Sequence, residues 1–207
     1  MKAHNHQASI ALPLTLILLV VLFIALTATS MMTNQVTTSQ QDLTQYVDDA
    51  LYEITSYIQI KNVYATYSKQ APYHLDKIAI FTSPLFHQKL DLSTYILHIQ
   101  TDDTLHLYKY NYTISPMGLT GVFSHPIWDQ QSEHHFGIIS IQDPDDSLIS
   151  HHSFSEPADM AVFTILVENL SIENGDVVRI LLSPGQGVEK TIMFRVPLPT
   201  RTVVNLW

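Results

Sequence analysis

From Ile10 to Ala28 only Pro13, Thr15 and Thr27 interrupt a run of apolar side chains. As a helix rising 1.5 Å per residue, such a run spans ~28 Å, about the hydrocarbon thickness of a bilayer. It is longer than the roughly 7–15-residue core of a secretory signal, although Ala25-Leu26-Thr27-Ala28 leaves ordinary signal cleavage open as an alternative. Lys2 and the terminal amine are the only certain cations before Lys61, whereas Asp42, Asp48, Asp49 and Glu53 follow the run. This bias predicts a cytoplasmic N-terminus and an exported remainder.

The helical pattern continues past the membrane edge. No Gly or Pro occurs between Leu14 and Ile60, and Val36, Leu43, Val47, Leu51, Ile54 and Ile58 recur on one face of a 3.6-residue helix. One helix from Ile10 to Ile58 would be ~73 Å long. Two readings follow. In the first, a membrane anchor leads into a helix packed on its own domain. In the second, the whole helix is a polymerisation element, with Ile10, Leu14, Ile17, Val21, Ile24, Val36, Leu43 and Val47 as its packing set.

Beyond Lys61 the period changes from 3.6 to two. Residues 75–82, 95–100, 104–113, 136–141, 160–167, 177–182, 191–196 and 202–206 read as strands. Turn signals punctuate them at Ser115-Pro116-Met117-Gly118, Asp143-Pro144-Asp145-Asp146, Asn174-Gly175-Asp176 and Ser183-Pro184-Gly185. The expected fold class is α+β: a long N-terminal hydrophobic α-helix followed by an antiparallel, immunoglobulin-like β-sandwich.

The chemistry implied by the remaining residues is sparse. The formal charge of −9 and the lack of any Lys/Arg run argue against nucleic-acid binding. Without cysteine there is no disulfide framework or thiolate nucleophile. No G-x-S-x-G, Walker or H-E-x-x-H pattern is present, so neither a catalytic residue nor a cofactor is expected. The chain has 11 histidines, two pairs of them adjacent, His134-His135 and His151-His152. Neighbours on a strand point to opposite faces and cannot converge on one metal. Asp143, Asp145 and Asp146 are a weak calcium candidate by oxygen chemistry, although an acidic β-turn is the simpler reading. Asn111-Tyr112-Thr113 and Asn169-Leu170-Ser171 are N-glycosylation sequons, which matter only if the domain is exported.

Both ends of the chain resemble the archaellins, the subunits of the archaeal swimming filament. At the N-terminus the likeness rests on Gln7 to Leu12, the apolar run from Leu14 to Ala28, and Gln35 to Tyr64. At the C-terminus it rests on Asp143 to Leu148, Asn174 to Ile180, Ser183-Pro184-Gly185, Phe194 to Pro197 and Val203 to Leu206. The chain departs from the family pattern in its leader, where His4-Asn5-His6 stands in place of a basic residue followed by Gly. The resemblance implies a cleavable leader over 1–6, cut between His6 and Gln7 by a leader peptidase. It implies a filament-core helix over 7–60 and an exported domain over 61–207. Self-assembly into a cell-surface filament, after passage through the cytoplasmic membrane, would then be the function. The rival expectation is a monomeric, membrane-anchored β-sandwich binding module or accessory protein of the envelope.

Overall fold

The computed structural model describes residues 57–207, except Gln70, Asp103 and Gln186, together with Leu19, Leu22, Tyr46 and Val47 of the N-terminal segment. Those four residues are helical. The rest of the helix expected over 7–60 lies outside the described residues up to Tyr57. Among the described residues no helix is long and apolar enough to cross a membrane. The chain divides into two units, Met1–Ala50 and Leu51–Trp207, and the fold below is that of the second.

All eight expected strands are present. Two-residue periodicity is visible in their burial: along β9 (Val177–Ser183), for example, Val178, Ile180 and Leu182 are buried while Arg179 is exposed. The helix boundary expected at Ile60 is wrong. Ile58, Gln59 and Ile60 open β1 (Ile58–Tyr67), with Ile58, Ile60 and Val63 buried and Gln59 and Lys61 exposed. A spacing of two between Ile58 and Ile60 fits a half-buried strand and breaks the helical face.

Nine strands form one sheet, in the order β10-β9-β4-β5-β6-β8-β2-β1-β11. They include β2 (Leu75–Pro84), β4 (Ile96–Gln100), β5 (Leu105–Pro116), β6 (His135–Gln142), β8 (Met160–Leu166), β10 (Lys190–Arg195) and β11 (Val203–Asn205). A small separate ladder pairs β3 (Leu90–Asp91) with β7 (Ser153–Phe154). The expectation of an all-antiparallel two-sheet sandwich is therefore corrected in two respects. Hydrogen bonding is continuous across nine strands, and β5 pairs with β6 in parallel. Ser115 and Pro116, read as a turn, are the last residues of β5. Two parallel neighbours need a crossover of a dozen or more residues, and residues 117–134 supply it.

The sheet curls around one apolar core. Side chains from both of its ends, among them Ile60, Ile80, Phe163, Phe136, Leu97, Ile180, Phe194 and Val204, belong to a single buried cluster. The outermost strands approach each other as the curl nears closure. Lys190 Nζ on β10 lies 3.8 Å from the ring centroid of Tyr57, just before β1, and the Tyr67 hydroxyl donates to the Pro197 carbonyl.

The central strands are covered on both faces. Ala79, Ile139 and Val162 point outward from β2, β6 and β8 and pack against Ile127 and Trp128 of the crossover. Trp128 Nε1 donates to the Val122 carbonyl at 2.7 Å, and Gln131 Nε2 donates to the Thr164 carbonyl at 2.9 Å. His125 is buried inside the loop. Its Nδ1 accepts from the Ile127 amide at 3.1 Å, which leaves Nε2–H to donate to the Pro116 carbonyl at 3.1 Å. The close approach explains Gly137, where a Cβ would lie 3.0 Å from Ile127 Cδ1.

Candidate functional site

The acidic turn is where the described residues gather potential ligands. Asp143 lies ahead of the short helix Ser147–His151 and accepts from the amides of Leu148 at 3.2 Å and Ile149 at 3.1 Å. The Asp145 carboxylate accepts from the Ser147 amide at 3.2 Å and from the Ser155 hydroxyl. That hydroxyl bond leads the causes that hold Asp145 below the ordinary carboxylate range. Asp146, the third residue of the sequence-based candidate, does not join them. It sits at φ +60°, and its carboxylate accepts from the Ser150 hydroxyl.

Asp159 takes that place. It is fully buried, and its Oδ2 accepts from the amides of Ser155 at 2.8 Å and Glu156 at 3.0 Å. Its Oδ1 has no hydrogen-bond partner. Asp143, Asp145 and Asp159 each offer an oxygen within 4.8 Å of the others. Oxygens so spaced need only a small inward movement, if any, to meet one cation at the ~2.4 Å typical of calcium. A buried, unpartnered carboxylate oxygen is costly, and a divalent cation would remove that cost. The donor set therefore fits a hard, oxygen-liganded cation. Asp159 was missed because it lies 16 residues after Asp143 in a loop with no ligand spacing of its own.

The histidine pairs do not converge. His134 stacks on His106 with centroids 6.0 Å apart, while His135 Nδ1 lies 3.0 Å from Ser132 Oγ. His152 Nδ1 is 2.5 Å from the Tyr110 hydroxyl, and its neighbour His151 is exposed at the end of the short helix. A cleft of about 280 Å³ opens between His106, Tyr108, Glu133, His134 and Asn169. Burial, followed by the nearby Glu133, pushes the Tyr108 hydroxyl up to about 12, so it stays protonated at neutral pH.

Both sequons reach the surface, by different means. Asn111 is half-buried in an irregular stretch of β5, where Tyr110 and Ile114 pair with Phe136 and Ile138 of β6. Its Oδ1 accepts from the Thr113 amide at 2.9 Å, and Tyr112 between them has φ +58°. Asn169 is exposed on the 3₁₀ turn Glu168–Leu170, with Nδ2 donating to Glu133 Oε1 at 2.5 Å. Of the expected helix-packing set only Val47 is described; it is helical and 56 % exposed. Ile10, Leu14, Ile17, Val21, Ile24, Val36 and Leu43, and the processing pair His6 and Gln7, lie outside the described residues.

In the chain, an apolar N-terminal segment precedes a curled β domain. A model of the archaeal-type flagellins matches residues 14–194, and the chain belongs to that family. It is 24 % identical over 208 residues to flagellin B3 of Methanococcus voltae, covering 85 % of this chain and 84 % of that protein. Its fold is similar to the crystal structure of flagellin FlaB1 from Methanocaldococcus jannaschii, at TM-score 0.63 and 24 % identity over 72 % of this chain and 95 % of that one. It is also similar to the subunit of the archaeal flagellum of Methanospirillum hungatei, at TM-score 0.65 and 10 % identity over 95 % of this chain and 98 % of that one.

Proposed function

We infer that this chain is a structural subunit of the archaeal flagellar filament, a cell-surface appendage, and that it polymerises through its N-terminal helix. The observation that carries the reading is the family match across residues 14–194, which takes in most of the apolar run as well as the β domain. Leu19, Leu22 and Val47 are 67, 57 and 56 % exposed in the single chain. In the filament reading such side chains are covered by lipid before assembly and by neighbouring helices after. Burying such side chains stabilises by ~25 cal/mol per Å², so a packed bundle of many copies is a strong core. Deleting the gene and restoring the full chain tests the assignment, because filaments should disappear and return. A membrane-held β domain on cells whose filaments are unaffected would point to the anchored binding module instead.

Within this reading the leader is removed between His6 and Gln7 on the cytoplasmic side, and the hydrophobic segment is retained. In the proposed exported domain Asn169 is exposed and Asn111 half-buried. Intact-mass measurement of native subunits should show glycan mass lost stepwise in Asn169→Gln and Asn111→Gln. Subunits at the unmodified mass would remove both sites.

The Asp143, Asp145 and Asp159 cluster supports a structural role for a divalent cation. Any ligand bound only by the folded state stabilises it, by about 2.7 kcal/mol at 100 times its Kd. Calcium should therefore raise the melting temperature of the chelator-treated protein by roughly 5–10 °C, at the few degrees per kcal/mol typical of this size. Asp159→Asn should abolish the response. A melting curve indifferent to calcium, magnesium and chelator would leave the cluster as an acidic turn.

A further inference from the structure

The curled sheet covers its two outer faces unequally. The outer face of β6, β8 and β2 lies under the 117–134 crossover. On the outer face of β10, β9, β4 and β5, Leu105, Leu107 and Met193 are 61, 47 and 60 % exposed. Strand register places these side chains in adjoining rows. Gln100 pairs with both Leu105 and Arg179, and Arg179 pairs in turn with Met193. In the next row His98 pairs with Leu107 and Leu181.

The charge on this face is unlike that of the chain. None of the 19 acidic side chains lies on these four strands, although the formal net charge is −9. Lys109, Arg179 and Arg195 are all exposed on them, against a bordering acid, Asp102 in the turn between β4 and β5, which lines the same hollow as Arg179 and Met193. The crossover offers the complement. Leu119 near its tip is completely exposed, at 108 % of the reference value, and Asp129 is exposed further along it. An apolar knob and an acid on the crossover thus answer an apolar face with an excess of basic side chains.

We propose that the crossover loop of one copy docks on the outer face of β10, β9, β4 and β5 of a second copy, with Leu119 seated among Leu105, Leu107 and Met193 and Asp129 facing the basic rim. This rests on the filament reading and adds to it the lateral contact between outer domains. The two surfaces are different parts of the chain, so the contact is head-to-tail, and within a filament such a contact repeats from copy to copy rather than closing into a ring. Four strands ~4.8 Å apart and about five residues at ~3.4 Å make a face of roughly 250 Å², well below the ~800 Å² per partner of a stable free-standing complex. The contact therefore forms between copies already held side by side in the polymer.

Because the chain has no cysteine, an introduced pair reads the contact directly. Filaments of the full-length chain carrying Leu119→Cys with Leu107→Cys are oxidised, then run without reductant. A ladder of covalent multimers is expected, absent from either single variant and collapsed by reductant. Double-variant filaments that are intact by electron microscopy yet run as monomers would overturn the docking proposal and leave the filament reading standing. Leu107→Glu provides a second measurement, in which filaments should dissociate at a lower temperature than those of the unmodified chain. Unchanged dissociation would also overturn the proposal. Failure of the unmodified chain to form any filament would overturn both.

Discussion

Val36→Asp is expected to block or weaken filament formation while leaving the β domain folded and the chain in the membrane. Val36 begins the apolar face that continues through Leu43 and Val47, past the end of the Ile10 to Ala28 run. A carboxylate placed there does not interrupt the proposed membrane span, but under the proposed assembly it would enter a bundle of packed helices. An unpaired buried charge costs several kcal/mol, and every subunit repeats that cost. Val21→Asp and Ile24→Asp should abolish filaments too, but an aspartate near the bilayer centre also hinders insertion. Cell fractionation and filament counts read the Val36 variant without that confusion. Normal filaments would mean that the distal helix faces no packed core.

Phe163→Ala is expected to be the most damaging single truncation in the β domain. Phe163 is fully buried on β8, with its ring centroid 5.5 Å from that of Phe136 and 6.3 Å from that of Tyr95. It thus ties together β6, β8 and the start of β4 at the middle of the curl. Removing a buried aromatic ring costs about 3–5 kcal/mol through lost transfer energy and the remaining cavity, or a fall of roughly 10 °C in melting temperature. Met193→Ala, on the exposed face of β10, should shift the midpoint by little. Thermal melts followed by circular dichroism compare the two directly; equal midpoints would show that the curl is not held by this cluster.

How far the fold was legible depended on whether the information was local. Alternation such as Ile192, Phe194 against Thr191, Met193 shows half-buried strands directly, and all eight expected strands formed. β1 was partly hidden, because Ile58 fits both a helical spacing from Ile54 and a two-residue spacing to Ile60. The parallel β5–β6 pair was not legible. Ser115-Pro116 reads locally as a turn, and only the packing of Ile127 and Trp128 on Ala79, Ile139 and Val162 sends the chain across the sheet. The acidic turn was found, but its membership was not. Asp146 precedes the helix and bonds to Ser150, while Asp159 reaches the site only through the tertiary fold. The sequons were legible as motifs, whereas their exposure was not.

Under the proposed assembly the hydrophobic N-terminal segment is kept in the mature subunit and builds the filament. Mass spectrometry of subunits from sheared, electron-microscopically verified surface filaments tests it most directly. This chain is expected in the filament, with a mature N-terminus at Gln7 and the segment from Ile10 to Ala28 intact. A mature chain starting near Thr29, or filaments that lack this chain, would contradict it.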